Sequence, residues 1–398
     1  MVKPILLVFG TRAEAIKLIP LYLYLKQKKI KTLLCATFQH LELSEQVCKI
    51  FNVDPDFNLK IMKKNQDLFY IQNKILEEIK KIYQKVNPSI VLVHGDTTTT
   101  MASALAAFYL HIPIGHVEAG LRTGNMNSPF PEEMNRKVVG QIATYHFAPT
   151  AFSAANLLSE GVKRENVFCT GNTIVDSLYW IRDQIDNNQI SITKKIKELV
   201  SFYKKDAKKL ILLTAHRRES FGGGLLRIFS AIKKFAQLHK DSVIFYPVHP
   251  NPNVQNAVEE SGIKNIDNIV ILEPLFYHDL IYILLNVDFV ATDSGGIQEE
   301  AVSLGKKVLV LRDITERWEG VWDGAEKLVG TNEDLIFNCL KEFYHSSLEE
   351  KGSTVYGDGN ACKRITSILK VKLNLERFEY CESKDYILTH INKKYLEK

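Results

Sequence analysis

Short apolar runs recur along the chain, and each is followed by a polar turn and then by a helical pattern. The first run, Ile5 to Phe9, is continuous rather than alternating, as expected of a strand buried on both faces of a parallel sheet. Strand, turn and helix alternate in this way through both halves of the chain, which predicts doubly wound sheets. The other strands are predicted near residues 31–37, 89–96, 112–120, 144–148, 166–172, 209–214, 242–247, 269–272 and 307–311, with one more ending near residue 291.

Length and composition limit the classes of protein to consider. With 398 residues, 45% of them hydrophobic, the chain is long enough to bury two domain cores. The net charge of +5 is small and spread out, which argues against a nucleic-acid partner. Six cysteines are scattered without CxxC or CxxH spacing, so neither disulfides nor a metal site is predicted. No apolar run approaches the roughly 20 residues of a membrane span, and we expect a soluble cytoplasmic protein without membrane insertion.

The stretch from Ala291 to Ala301 has the composition of a phosphate site. Ser294, Gly295 and Gly296 stand where a strand turns into a helix, and such a turn offers free backbone N–H groups and room for a phosphate. Ser294 is predicted to cap the helix, and Glu300 lies far enough along it to reach a ribose diol. The alternative interpretation is an ordinary capped helix with glycines for tight packing.

Charged residues follow the strands of the first half. Arg12 and Lys17 lie in the first turns of a helix, where cations oppose the helix dipole, so we expect an anionic ligand there unless both serve only solubility. Asp96 and Glu118 come at strand ends, where open α/β sheets bind ligands. Glu132 follows a long loop and begins a helix, where its charge is favourable in any case. Three acids near one rim indicate acid/base chemistry on an anionic substrate.

The second half places His216, in a His-Arg-Arg sequence, directly after a predicted strand. A buried structural histidine is the alternative interpretation. The predicted strand ends face a cleft between two domains. No cofactor is predicted, because no GxGxxG follows the first strand and no Walker lysine motif is present.

Several motifs together resemble the non-hydrolysing UDP-N-acetylglucosamine 2-epimerase family. The resemblance runs from about residue 4 to about residue 373 and rests on eight motifs in a fixed order. They are GTRAEAIKLIP, HGDTTTT, HVEAGLRTGN with SPFPEEMNR, TGNTIVD, LLTAHRRESFG, PVHPNP, TDSGGIQEEA and LRDITER with KLVGT.

The resemblance implies an α/β fold of two doubly wound Rossmann-like domains facing a central cleft, the glycosyltransferase-B type. We expect an N-terminal domain over residues 1–172, a UDP-binding domain over 173–360, and a C-terminal helix that returns to the N-terminal domain, with a tail, over 361–398. It also implies a homodimer, a UDP-sugar substrate and a role in supplying surface polysaccharide synthesis. The activity implied is the interconversion of UDP-N-acetylglucosamine and UDP-N-acetylmannosamine.

Residue roles are implied position by position. The family's catalytic groups correspond to Asp96, Glu118, Glu132 and His216. Its nucleotide and phosphate groups correspond to Arg12, Lys17, His216, His249, Ser294, Gly295, Gly296, Glu300 and Arg317. Trp318 departs from the family, which usually has proline there, and it adds bulk beside a second tryptophan, Trp322.

The chemistry of such a reaction can be reasoned from the sugar. Its C2 proton is not next to a carbonyl, so a side-chain base cannot remove it directly. If the C1–O bond to UDP breaks first, C2–H becomes acidic and elimination gives a 2-acetamidoglucal. Four alternatives remain at this stage, namely an epimerase of a related UDP-2-acetamido sugar, a hydrolysing 2-epimerase, a glycosyltransferase of the same fold and a catalytically silent nucleotide-sugar sensor.

Overall fold

The computed structural model of the chain describes residues 3–39, 41–63, 66–206, 209–346 and 352–375. The chain divides into two compact units. Unit 1 contains the described residues up to Ser177 and those from Gly357 onwards, and unit 2 contains Leu178–Tyr356. The first boundary falls inside a helix, and the last described helix belongs to unit 1. Most of the predicted tail, residues 376–398, lies outside the described residues.

Unit 1 is built on a parallel sheet, which has seven strands within the described residues. Their order is β3-β2-β1-β4-β5-β6-β7, so the chain runs outward from β1 in one direction and then in the other. The strands are β1 Ile5–Phe9, β2 Thr32–Ala36, β3 Phe57–Asn58, β4 Ile90–His94, β5 Ile114–Val117, β6 Tyr145–Ala148 and β7 Val167–Cys169.

Helices connect these strands, as a parallel sheet requires. Ile71, Ile75 and Ile79 recur every four residues along one of them and are buried, which places a single apolar stripe against the core. Helices α1 to α6 lie in unit 1, and α7 begins in unit 1 and continues into unit 2. Their ranges are α1 Arg12–Gln27, α2 Leu41–Ile50, α3 Leu68–Val86, α4 Thr98–Tyr109, α5 Glu132–Ile142, α6 Ala151–Ser159 and α7 Thr173–Asp186.

Unit 2 repeats the arrangement with a parallel sheet of six strands among its described residues, in the order β10-β9-β8-β11-β12-β13. The strands are β8 Lys209–Thr214, β9 Ser242–Pro247, β10 Ile269–Leu272, β11 Phe289–Thr292, β12 Lys307–Val310 and β13 Glu326–Leu328. The helices are α8 Lys194–Lys205, α9 Gly223–Leu238, α10 Pro252–Ser261, α11 Tyr277–Asn286, α12 Gly295–Ser303, α13 Trp318–Trp322 and α14 Glu333–His345. After unit 2, α15 Ala361–Lys372 packs on α1 of unit 1.

The predicted fold class of two doubly wound parallel sheets is confirmed. Two edge strands, β3 and β13, were missed. They contain two and three residues, too few for a run or an alternation to stand out, and they lie at sheet edges. Among the described residues, no helix has the length and apolar character needed to cross a membrane.

Each sheet has one place where the strand order reverses direction. In unit 1 this switch lies between β1 and β4, and in unit 2 it lies between β8 and β11. Loops that leave neighbouring strands on opposite sides open a crevice at such a point, and open α/β sheets bind ligands there. Arg12 and Asp96 follow the two strands in unit 1, and His216 and Ser294 follow the two in unit 2.

Candidate active site

Glu118, directly after β5, is the centre of a buried polar cluster in unit 1. One carboxylate oxygen, Oε2, pairs with Nζ of Lys17 and accepts a hydrogen bond of 2.7 Å from Nδ2 of Asn172. Nε2 of His94 lies 3.8 Å from the same oxygen. The Glu118 and Lys17 residues are only 8% and 5% exposed. Because each buried charge has the other as its partner, the ion pair is tolerated away from water.

The backbone of Glu118 is itself unusual. Its φ is +63°, in the left-handed region that residues with a side chain rarely adopt. Such conformations persist where the surroundings determine them, and they concentrate at functional sites. Burial lowers the pKa of His94 to about 4, so its imidazole is neutral at neutral pH. Lys17 therefore supplies positive charge to the Glu118 carboxylate.

Asp96 is tied to α5, the helix that begins at Glu132. Its carboxylate pairs with Arg136, whose Nη1 also lies 3.1 Å from Glu133. Nδ2 of Asn135 donates to the backbone carbonyl of Asp96 at 2.8 Å. Glu132 stands in the first turn of the same helix, one turn before Arg136, and is half-buried. The structure thus links two of the predicted acids through one helix.

A buried carboxylate missed by the sequence analysis occupies the start of α1. Glu14 accepts hydrogen bonds from the backbone N–H groups of Gly10 and Thr11, at 3.1 and 2.8 Å, and from the hydroxyls of Thr97 and Thr100. Burial raises its pKa. The spacing of Thr11 and Glu14 is a capping box, so the sequence did carry this signal.

The Glu14 carboxylate lies at the same helix end as the cations from which an anionic ligand is expected. Arg12 is the first residue of the helix, and Lys17 lies five residues further on. Glu14 already places a carboxyl group at the same helix end, and Lys17 is paired with Glu118. The two cations therefore do not by themselves require a bound anion.

In unit 2, Asp293 joins the two strand ends at the switch point. It is fully buried, and its Oδ2 accepts from the backbone N–H groups of His216 and Arg217 at 2.6 and 2.7 Å. This carboxylate fixes the start of the His-Arg-Arg segment beside the start of α12. Asp293 was not singled out from the sequence, because its partner segment lies 76 residues earlier in the chain.

Ser294 is the N-cap residue of α12, as predicted, but its side chain makes no capping hydrogen bond. The prediction of a side-chain cap is therefore wrong. The backbone N–H of Ser294 donates instead to Oγ1 of Thr292, at 2.9 Å, and this bond shapes the turn. Gly295 and Gly296 form the first turn of the helix behind it.

The two histidines of unit 2 lie together. The rings of His216 and His249 are stacked, with centroids 5.1 Å apart and planes 10° apart. Nδ1 of His216 is 3.3 Å from Oδ1 of Asp293. Burial lowers the pKa of His249, and the neighbouring His216 lowers it further. The lowered pKa favours the neutral imidazole of His249.

Glu300 is buried in α12, and the hydroxyl of Tyr277 donates to its Oε1 at 2.7 Å. Arg317 is buried as well, with Nε 2.9 Å from Glu299 and Nη1 paired with Glu316. A Cβ built on Gly295 would lie 2.5 Å from Cζ of Arg317, so the guanidinium packs on that glycine. Arg317 therefore supports the turn at Gly295 while two carboxylates balance its charge.

Trp318 and Trp322 form the ends of the short helix α13. Their rings are stacked, with centroids 6.2 Å apart, and Trp322 is 46% exposed. Trp318 is half-buried and directly follows Arg317. The pair adds a partly open aromatic surface to unit 2.

Glu326 is a buried carboxyl group close to Arg317, and its protonation makes the stability of the fold depend on pH. Burial raises the pKa of Glu326 from 4.5 to about 8, against the hydrogen bond from Tyr356, and Glu299 and Glu319 add to the rise. Between these two values the folded chain binds more protons at this site than the unfolded chain. Its contribution to stability is therefore largest below the lower value and falls as pH rises to about 8.

Glu326→Gln, which mimics the protonated acid, is expected to remove this fall. The melting temperature of the variant, relative to that of the wild type, should increase as pH rises from about 5 to about 8. Thermal unfolding in a pH series measures the difference. Glu259→Gln, at an exposed glutamate of α10, is the control and should run parallel to the wild type. If the melting temperatures of Glu326→Gln and the wild type change in parallel with pH, the raised pKa of Glu326 is contradicted.

Comparisons with known proteins agree on one family. A sequence model of UDP-N-acetylglucosamine 2-epimerase matches residues 24–370. The UDP-N-acetylglucosamine 2-epimerase of Yersinia pestis is 46% identical over 373 residues, which cover 92% of this chain and 98% of that protein. The structure of MnaA from S. aureus with UDP has a TM-score of 0.87 at 42% identity, covering 95% of this chain and 99% of that one. UDP-GlcNAc 2-epimerase from Neisseria meningitidis, bound to UDP-GlcNAc, has a TM-score of 0.85 at 41% identity, covering 92% and 99%.

Proposed function

The chain belongs to the UDP-N-acetylglucosamine 2-epimerase family, and we propose that it interconverts UDP-N-acetylglucosamine and UDP-N-acetylmannosamine. Its two doubly wound sheets are the glycosyltransferase-B-type fold that the resemblance implied. The observation that carries the proposal is the buried ion pair of Glu118 and Lys17 at a strand end of unit 1. A buried carboxylate held in an unusual backbone conformation is the kind of group that proton transfer at carbon requires.

Unit 2 binds the nucleotide in this proposal. The turn at Ser294, Gly295 and Gly296 offers backbone N–H groups to the diphosphate, because the first turn of a helix has donors without intrahelical partners. Glu300, oriented by Tyr277, accepts from the ribose hydroxyls. The remaining nucleotide and phosphate contacts are assigned to Arg12 and His216, with His249 beside His216 as support. Lys17 and Arg317 support the site through the carboxylates that they pair with, Glu118 for Lys17 and Glu299 and Glu316 for Arg317.

The first half of the reaction is an elimination. The C1–O bond breaks, UDP departs with the bonding electrons, and a carboxylate accepts the C2 proton, which leaves a 2-acetamidoglucal. Cations and N–H groups on the diphosphate stabilise the negative charge that develops on the leaving UDP. Asp96, Glu118 and Glu132 are the candidate bases, with His216 as a further proton carrier.

The second half reverses the elimination on the other face of the sugar. A protonated carboxyl group delivers a proton to C2, and a phosphate oxygen of UDP re-forms the bond to C1. Atoms and charge balance, because the proton taken from one face is matched by one given to the other and UDP is retained. Two proton carriers on opposite faces are needed, which fits a site with more than one carboxylate.

Incubation with UDP-N-acetylglucosamine alone in D2O tests the function. We expect UDP-N-acetylmannosamine to form with deuterium at C2, because the proton returned to carbon has exchanged with solvent. Proton NMR of the anomeric and C2 signals measures epimerisation and deuterium incorporation in the same sample. Epimerised product that keeps its original hydrogen at C2 would contradict elimination.

The same spectra distinguish the alternative functions. Free N-acetylmannosamine with UDP would identify a hydrolysing enzyme, and turnover only with an added acceptor would identify a glycosyltransferase. An unchanged sugar that binds without turnover would identify a sensor. Faster turnover of a UDP-2-acetamido sugar with a further substituent would identify a related substrate, for which Trp318 supplies a candidate contact.

Assembly, compartment and pathway extend the proposal. We propose a homodimer in the cytoplasm that supplies activated sugar for surface polysaccharide synthesis. Phe108 and Tyr109, at the end of α4, are 50% and 65% exposed and offer apolar surface for a second copy. The five described cysteines are free thiols, which fits a reducing compartment. Sedimentation equilibrium measures the mass of the assembly.

A further inference from the structure

Asn172 is a buried polar residue of the TGNTIVD motif, and the sequence predicts no role for it. It lies between β7 and α7, is 2% exposed, and comes within 2.7 Å of Glu118 across 54 residues of sequence. Lys17 from α1 and His94 from β4 face the same oxygen of Glu118. The amide therefore contacts the carboxylate on which the proposed chemistry depends.

The orientation of the Asn172 amide follows from its other contact. Its Oδ1 accepts from the backbone N–H of Ile174 at 3.1 Å, so Nδ2 is the end that faces Glu118. An amide nitrogen donates hydrogen bonds and does not accept them. The contact to Glu118 is thus a donor–carboxylate bond, which favours the ionised form of the carboxyl.

The segment that carries Asn172 is held by the last described helix. Asp176 accepts from the backbone N–H groups of Ala361 and Cys362, at 3.1 and 2.9 Å, at the start of α15. Nη1 of Arg364 donates to the carbonyl of Thr170 at 3.1 Å. These bonds join the segment on both sides of Asn172 to the C-terminal part of unit 1.

A close backbone approach completes this support. A Cβ built on Gly171 would lie 3.3 Å from Cα of Gly357, and both glycines have positive φ. Arg364 is fixed in turn by two bonds to Asp358, of 2.8 and 2.7 Å. The segment from Gly357 to Arg364 and the TGNTIVD motif therefore meet in one structural unit.

We propose that Asn172 is a positioning residue for Glu118, held in place by α15, and that its amide keeps one carboxylate oxygen engaged and the group ionised for proton abstraction. This inference rests on the proposed function. Lys17 supplies the charge opposite to that of Glu118. Asn172 fixes the orientation of the Glu118 carboxylate, because a planar amide that is held at its other end donates along one line. The Glu118 carboxylate is then held in a fixed orientation.

The substitution Asn172→Asp separates positioning from a merely structural role. Asp has the same shape and can still accept from the N–H of Ile174, but it replaces the donor to Glu118 by a second carboxylate oxygen. If Asn172 only shapes its loop, Asn172→Asp stays near wild type. If it positions Glu118, Asn172→Asp is the more impaired variant and Asn172→Ala the milder one.

We expect Asn172→Ala to lower kcat about 10-fold, the effect of losing one hydrogen bond to a charged group. The acidic limb of its kcat–pH profile should move to higher pH, and UDP affinity, measured by calorimetry, should change less than about 2-fold. Thr173→Val is the matched control. The neighbouring Thr173 is equally buried, and its hydroxyl has no hydrogen-bond partner in the described structure, so kcat should be unchanged.

Three results would overturn the inference. They are wild-type kcat in Asn172→Asp, an unmoved acidic limb in Asn172→Ala, and an equal loss of kcat in Thr173→Val. Thermal unfolding of each variant separates loss of fold from loss of rate, and Asn172→Ala decides the question if Asn172→Asp does not fold. If the wild type itself incorporates no deuterium at C2, the proposed function fails, and the inference fails with it for that separate reason.

Discussion

Replacing Glu118 by Gln is expected to lower kcat for C2 epimerisation by about 100-fold or more. Gln keeps the shape of the side chain but cannot accept a proton from carbon. Asp96→Asn and Glu132→Gln are expected to show losses of similar size if those acids serve the opposite face of the sugar. Glu160→Gln is the control, because Glu160 pairs with Arg122 elsewhere in unit 1 and should leave kcat unchanged.

The same substitution also disturbs the fold, and the two effects need separation. Glu118→Gln leaves the buried ammonium of Lys17 without its carboxylate, a change that costs about 3–5 kcal/mol of stability in buried pairs. The double variant Lys17→Met with Glu118→Gln removes both charges and should recover much of the lost stability. Its kcat should stay low. Recovery of activity with stability would assign Glu118 a structural role alone.

Alanine substitutions at Gly295 and Gly296 are expected to weaken UDP binding by about 10-fold or more through different causes. At Gly295 the new Cβ would meet the Arg317 guanidinium, which must move and disturb its bonds to Glu299 and Glu316. Such overpacking costs about 1–3 kcal/mol of stability, so the melting temperature should fall as well. At Gly296 the described structure places no atom, apart from the adjoining residues and the backbone of the helix itself, within 4 Å of the new Cβ, and stability should not fall.

The Gly296 variant is therefore the sharper test of where the phosphate lies. Its methyl group would occupy the space through which a phosphate approaches the first turn of α12. Calorimetric titration with UDP and thermal unfolding of both variants give affinity and stability side by side. Unchanged UDP affinity in Gly296→Ala would move the diphosphate away from this turn.

The strands of the two sheets were predictable because helices cover both faces of each sheet. β1 and β8 are continuous apolar runs for this reason, and the polar residues after them stand out. The ends of such runs are therefore enough to point to Asp96, Glu118 and His216. A strand of two residues such as β3 offers no pattern to detect.

The contacts around the candidate site were harder to predict, because they join distant parts of the chain. Asn172 reaches Glu118 across 54 residues, and Asp176 reaches Cys362 across 186. No local pattern specifies such pairs. Glu14 is different, since its capping-box spacing was present in the sequence and its burial was the missing information. The roles of the predicted site residues remain predictions until the variants are measured.

The division of the chain, with α15 returning to unit 1 after all of unit 2, sets an order of events during synthesis. The ribosome releases residues from the N-terminus, so the whole of unit 2 emerges before Gly357 and the helix behind it. Until then the segment around Asn172 lacks the donors of Ala361, Cys362 and Arg364. Unit 2, which we propose binds the nucleotide, is thus complete in sequence while the bonds that hold the segment of Asn172 are still missing. If the proposed roles hold, a chain whose synthesis stops before α15 would keep the residues that bind UDP but would lack the bonds that position Asn172 beside Glu118.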